Sequence, residues 1–223
     1  MEIFMISYSE IKENESIKRY ISKADESLSA LGYTEHSFAH VCKVAEGAAR
    51  ILTLSGYGER LVELSRIAGY LHDIGNVVNR VDHSQSGALI AFRILDKMNM
   101  PAEEIAEIVT AIGNHDEGTG VPVSPLSAAL ILADKSDVRR SRVRNQDFST
   151  FDIHDRVNYS VEKSSLEIDP QTKIIRLVLD IDTKISSLMD YFEIFLSRMT
   201  LCRRAADKLG FTFKLTINGQ NFI

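Results

Sequence analysis

The stretch GYLHDIGNV, residues 69–77, decides the reading of this chain. Upstream of it Leu61, Leu64, Ala68 and Leu71 recur at helical spacing, and Gly75 reads as the stop that ends the helix. His72 and Asp73 then fall in its last turn. A helix C-terminus carries roughly half a negative charge, so a carboxylate there is disfavoured by about 0.3–1 kcal/mol. Positive charge is therefore expected close to Asp73.

Working outward, amphipathic helices precede and follow this segment. Val41, Val44, Ala45, Ala48, Ile51 and Leu52 form one apolar stripe, and Ala88, Ala91, Phe92 and Leu95 another. After Pro101, Glu103 and Glu104 favour a helix start ahead of Ile105, Ile108, Val109 and Ile112. Ser124 reads as an N-cap with Pro125 at the first helical position, leading into Leu126, Ala129, Leu130 and Ala133. The character changes near residue 145. Val157, Tyr159 and Val161 alternate with polar residues, DPQT (169–172) reads as a turn, and KIIRLVLDID (173–182) has strand composition. From Thr183 a helical period returns through Ile185, Leu188, Met189, Phe192, Phe195, Met199, Cys202 and Ala206 to Gly210, before a last alternating strand, FTFKLTIN (211–218). The expected fold is mainly α: a helical domain over residues 1–145 carrying a small β-β-α-β unit over residues 146–223.

A hydrophobic content of 44% supports a packed core, and a net charge of −5 gives no reason to expect general nucleic-acid or anionic-membrane binding. The N-terminal stretch lacks a basic segment followed by an apolar one, and no apolar run reaches about 18 residues, so a cytoplasmic location is expected. Cys42 and Cys202 fall in apolar helical stripes and read as packing residues.

The histidines and acids carry the chemistry. His40 leads the Val44/Ala48 stripe, His72 follows Leu64 and Ala68, His115 follows Ile108 and Ile112, and Asp134 follows Leu126 and Leu130. All four are expected to point inward from different helices. A buried carboxylate needs a partner or it is neutralised, and a divalent cation would serve both Asp73 and Asp134. Imidazole mixed with carboxylate, without thiolate, suits one or two ions of Mn, Fe, Co, Ni or Zn better than Mg. Of the three His-Asp doublets, His115-Asp116 ends a helix at a glycine-containing loop, where a ligand is reasonable, while His154-Asp155 lies outside the helical stripes and reads as structural.

These residues resemble the HD superfamily of metal-dependent phosphohydrolases, through the histidine of HVCKVA (40–45), the doublet of LHDIGN (71–76) and the aspartate of LADKSDV (132–138). The resemblance covers roughly residues 30–145. It implies an all-helical HD-domain bundle with His40, His72, Asp73 and Asp134 as the minimal metal site. Dinuclear members add two histidines, for which His83 and His115 stand in matching order, with Asp73 bridging. The paired histidines and Gly-Tyr-Pro of the cyclic-dinucleotide phosphodiesterase branch are replaced by Asp116 and GVP (120–122). Asn76 stands where many relatives carry lysine, which leaves Lys135, Arg139, Arg140 and Arg142 as candidates to hold a substrate phosphate. His36, four residues before His40, resembles a second histidine that orients the first or touches substrate. The implied activity is hydrolysis of a phosphomonoester, phosphodiester or phosphoanhydride in a small, nucleotide-like substrate, with Asp73, Lys135 and His36 in the catalytic set. A di-iron oxygenase and a non-catalytic nucleotide-binding module stay open as alternatives. Dimerisation, covering of the site and binding of a regulator stay open for residues 146–223.

Overall fold

A computed structural model describes residues 5–222, so the first four residues of the expected helical domain lie outside the described residues. Helices α1 (Tyr8–Glu13), α2 (Glu15–Ala30), α3 (Phe38–Leu54), α4 (Glu59–Leu71), α5 (His83–Lys97), α6 (Ala102–Gly113) and α7 (Pro125–Lys135) build the first part. The expected cap at Ser124 is in place, and two further caps accompany it. The Ser124 hydroxyl accepts from the Ser127 amide ahead of Pro125, and Ser37 and Asn14 cap α3 and α2 in the same manner.

Helix α4 crosses α3 at close range because of a glycine. A Cβ on Gly69 would stand 2.7 Å from the Ala45 Cα, so only a bare backbone lets the two helices meet there. Gly75, by contrast, is not the helix stop expected of it. Helix α4 ends at Leu71 with His72 as its C-cap, and the chain continues into a 3-10 turn over Ile74–Val77 that contains Gly75. A Cβ on Gly75 would come within 1.9 Å of the His83 carbonyl oxygen and 2.5 Å of the Gly87 nitrogen. Its glycine therefore serves the contact between this turn and the start of α5.

The second part also departs from expectation, with a helix before the first strand and a short strand after the last expected one. Residues Ile153–Ser160 form helix α8, where the alternation of Val157, Tyr159 and Val161 suggests a strand. The Asp152 carboxylate accepts from the Asp155 amide as an N-cap, and Val157 is buried at helical spacing with Ser160 and Val161, so the cap prevails over a short alternation. Strands β1 (Val161–Asp169) and β2 (Ile174–Ile181) follow, joined by the expected turn. Helix α9 (Leu188–Lys208) begins at the Ser187/Asp190 capping box, later than Thr183, and leads to β3 (Thr212–Ile217) and the two-residue β4 (Gln220–Asn221).

The strands lie in the order β1-β2-β3-β4, with β2 and β3 parallel and the other neighbours antiparallel. Helix α9 is the crossover that a parallel pair requires. Its Tyr191, Phe195, Met199 and Cys202 are buried, as are Ile175, Leu177, Phe213 and Leu215 on the sheet. Helix α9 also packs along α7, and one continuous apolar cluster runs from Ile6 to Ile217 across residue 145. Among the described residues no helix is long and apolar enough to cross a membrane.

Candidate metal centre

The ends of five helices converge at one place. His40 lies in the first turn of α3, His72 caps α4, His83 opens α5, His115 follows α6, and Asp134 sits in the last turn of α7. All four histidines are buried, as is Asp73.

The orientation of each ring follows from its Nδ1. His40 Nδ1 lies 2.8 Å from Asp137 Oδ2, His72 Nδ1 2.8 Å from the Gly69 carbonyl, His115 Nδ1 2.6 Å from the Ile112 carbonyl and His83 Nδ1 3.1 Å from the Arg80 carbonyl. These acceptors cannot donate, so each Nδ1 bears the proton and each Nε2 presents a lone pair. The lone pairs face two carboxylates and one another. His40 Nε2 is 3.3 Å from Asp134 Oδ1 and 3.6 Å from Asp73 Oδ2; His72 Nε2 is 3.2 Å from Asp73 Oδ2 and 3.7 Å from Asp134 Oδ1. His83 Nε2 is 3.5 Å from Asp73 Oδ1 and 3.2 Å from His115 Nε2. The two oxygens of Asp73 thus face different histidines.

Acceptors gathered in this way repel unless positive charge lies among them. Among the described residues His40 Nε2 and His72 Nε2 are buried without a hydrogen-bond partner, which costs free energy in a protein interior. Ligand atoms about 2.1 Å from a common ion stand about 3.0–3.4 Å apart in octahedral or tetrahedral arrangements, close to the separations found here. The donor atoms of His40, His72 and Asp134, and those of His72, Asp73 and His115, form two groups in which all atoms lie within 4.8 Å of one another. These groups fit a divalent metal.

The electrostatics agree. Burial works against the charge on Asp73 and Asp134, yet His72 beside the first and Lys135 beside the second hold both well below the usual carboxylate range, and Asp73 in turn raises His72 against its burial, through a proton that a metal ion at Nε2 would replace. Burial, and then neighbouring positive charge, keeps His115 well below the usual imidazole range, and burial lowers His83 too. Both are held in the neutral form a ligand needs.

The HD domain model matches residues 37–193, more than half of the chain. The chain belongs to the HD domain family. This HD domain is 24% identical over 184 residues to an uncharacterized protein of Methanocaldococcus jannaschii, across 72% of this chain and 70% of that protein. Among solved structures it is similar to a predicted HD superfamily hydrolase from an uncultured Thermotogales bacterium, with 24% identity, 60% of this chain and 75% of that chain covered, and a TM-score of 0.46.

The structure brings His40, His72, Asp73, His83, His115 and Asp134 of this HD domain together, and places other sequence candidates differently. Lys135 Nζ lies 2.7 Å from Asp134 Oδ2 and 2.7 Å from Glu117 Oε2, so its charge is taken by two carboxylates. Arg139 is engaged by Asp137 and Glu35. Arg142 is buried and donates to the Glu35 and Asp137 carbonyls, and Arg140 donates to the Tyr159 carbonyl. Arg139 and Arg142 thus spend their donors on acids and carbonyls of the fold, and Arg140 spends one on Tyr159. His36 precedes the α3 N-cap and so does not share the helix face of His40; its ring still meets that of His40 edge-on, with centroids 5.5 Å apart. Asp116 Oδ1 stands 4.0 Å from His83 Nε2, at the edge of the cluster. His154 lies in α8, outside this cluster.

Asp137 and Arg198 escaped the sequence reading, and Asn76 was named there only for the lysine it replaces. Asp137 holds the His40 ring and is itself held well below the usual carboxylate range, because His40, Arg142 and Arg139 outweigh its burial. Its signal was its place three residues after Asp134. Asn76 donates to both the carbonyl and Oδ1 of Asp73. Arg198 of α9 reaches Glu117 Oε1 at 2.9 Å, extending the chain Asp134–Lys135–Glu117 into the second part of the molecule.

Proposed function

We propose that this protein is a metal-dependent phosphohydrolase that cleaves a phosphomonoester, phosphodiester or phosphoanhydride bond with water. The observation that carries this reading is the convergence of four protonation-fixed imidazoles, each turning its Nε2 lone pair toward Asp73, Asp134 or a neighbouring Nε2. His40, His72, Asp134 and Asp73 Oδ2 would hold one divalent ion; His83, His115 and Asp73 Oδ1 would hold a second. Bound divalent ions lower the pKa of water toward neutrality and draw charge from phosphoryl oxygens.

The chain's own residues supply the rest. The Nδ1 hydrogen bonds fix ring orientation and raise ligand basicity, as outer partners of metal-ligating histidines do. Asn76 holds one oxygen of Asp73 in place, and Lys135 does the same for Asp134 while its charge limits the repulsion between the two acids. His36 packs against His40 and restricts its ring. The nitrogen and carboxylate donors favour Mn, Fe, Co or Ni over Mg, and small nucleotide-like phosphates are the first substrates for assay.

The test is a phosphatase and phosphodiesterase screen with Mn²⁺, Fe²⁺, Co²⁺, Ni²⁺ and Mg²⁺, run beside Asp73→Ala. Metal-dependent phosphate release that falls by at least about a thousandfold in the variant is expected. Full activity of Asp73→Ala, or oxygen consumption by the reduced iron-loaded protein without phosphate release, would overturn the reading.

A further inference from the structure

Arg80 lies between the 3-10 turn and α5, at the rim of the cluster. Its carbonyl receives the His83 Nδ1 proton, and its side chain folds back over the same residue: Nη1 is 3.3 Å from His83 Nε2 and 3.5 Å from Asn76 Oδ1. The guanidinium carbon stands 5.7 Å from the centre of the exposed Tyr33 ring. Among the described residues no carboxylate oxygen lies within 4.0 Å of this guanidinium, whereas Arg139, Arg142, Arg144 and Arg198 each face one. Its other N–H donors likewise have no protein acceptor among the described residues.

This arrangement has a physical difficulty and a simple resolution. Arginine is always charged, and here it borders a group of side chains suited to divalent cations, so its own charge opposes theirs. An anion lying between them turns that opposition into attraction on both sides. A planar guanidinium with free N–H donors matches the oxygens of a phosphoryl group, which it can bind through two parallel charge-assisted hydrogen bonds. Tyr33 gives the guanidinium a face to rest on while those donors stay available. Arg139 and Arg142 lack this freedom, because Asp137, Glu35 and backbone carbonyls already engage them, and Arg140 is turned to the Tyr159 carbonyl with Glu162 3.9 Å away.

We infer that Arg80 is the residue that anchors the substrate phosphate, binding the phosphoryl oxygens from the rim while the histidine and aspartate cluster holds the metal. The inference rests on the phosphohydrolase reading and gives the site a specificity element on this loop. Charge at position 80 then governs affinity for phosphate more than metal content.

The test uses the full chain loaded with Mn²⁺ and orthophosphate as the probe, measured by calorimetry for the wild type, Arg80→Ala and Arg80→Lys. Arg93→Ala, which removes one exposed charge from α5, is the control for net charge. Orthophosphate affinity is expected to fall roughly ten- to a hundredfold in Arg80→Ala, to be partly kept in Arg80→Lys and to be unchanged in Arg93→Ala, with metal content equal throughout. With a hydrolysed substrate, KM is expected to rise in Arg80→Ala by more than kcat falls. Equal orthophosphate affinity in the wild type and Arg80→Ala, or no orthophosphate binding by the wild type, would overturn the anchor. Hydrolysis by the wild type with an indifferent Arg80→Ala would sink the anchor alone. Orthophosphate held through Arg80 without hydrolysis of any ester or anhydride would sink the phosphohydrolase reading alone.

Discussion

At the scale of single residues, the cluster depends on side chains that never face its centre. Asp137 is fully buried, and one of its oxygens takes the His40 Nδ1 proton while Lys43 and Arg139 reach the other. Asp137→Asn keeps the shape and removes the charge that makes His40 a stronger donor. Loss of such a partner typically costs ten- to a hundredfold in metal affinity. Mn²⁺ affinity measured by competition with a chromogenic chelator is therefore expected to fall about tenfold in Asp137→Asn, with the histidines unaltered. An unchanged affinity would mean that the His40 ring needs no charged support. His72, His115 and Asp134 were legible because each ends an apolar stripe, and His40 because it leads one, where a polar side chain is carried inward whether or not its partner is known; His83 was legible only through the family resemblance. Arg80 had no such signal, since it lies in a loop without periodicity and its neighbours Asn76 and His83 come from either side of the turn. The partners of Arg139 and Arg142 were hidden for the related reason that a run of basic residues says nothing about which acids will claim it.

At the scale of elements, the site exists because helix ends approach closely, and two glycines of GYLHDIGN permit it. Gly69 seats α4 on α3, bringing His72 toward His40; Gly75 seats the turn on α5, bringing Asp73 toward His83. Gly75→Ala would place a methyl group against backbone on α5, which cannot move aside as a side chain can. A loss of stability of about 1–3 kcal/mol is expected, the usual range for overpacking. Thermal unfolding reads it, and a midpoint equal to that of the wild type would show that the turn has room after all. Element types over residues 38–135 were legible because long amphipathic periods and strong caps agree. Helix α8 was not, because eight residues with Val157, Tyr159 and Val161 satisfy both periods and the deciding fact is the cap at Asp152. The role of Gly75 was hidden for another reason: a stop signal and a close approach leave the same letter in the sequence.

At the scale of the whole molecule, the composition change near residue 145 was visible and the continuity of the core across it was not. Helix α9 packs on α7, and its Arg198 ends the ion-pair chain that begins at Asp134. Burial opposes the charge on Glu117, but Lys135 and Arg198 outweigh it and hold the carboxylate well below its usual range. The second part of the chain therefore supports the site electrostatically, a link that joins residues 134 and 198 and leaves no local pattern. The proposed chemistry requires that the six convergent side chains hold divalent metal. Elemental analysis of purified wild type, His72→Ala and Asp73→Ala after Mn²⁺ loading and desalting tests it directly. About two ions per chain are predicted for the wild type, in line with two-metal phosphohydrolase sites, and a clear loss of metal in both variants. A wild-type chain that retains no metal under any loading condition, or variants that retain the wild-type complement, would contradict it.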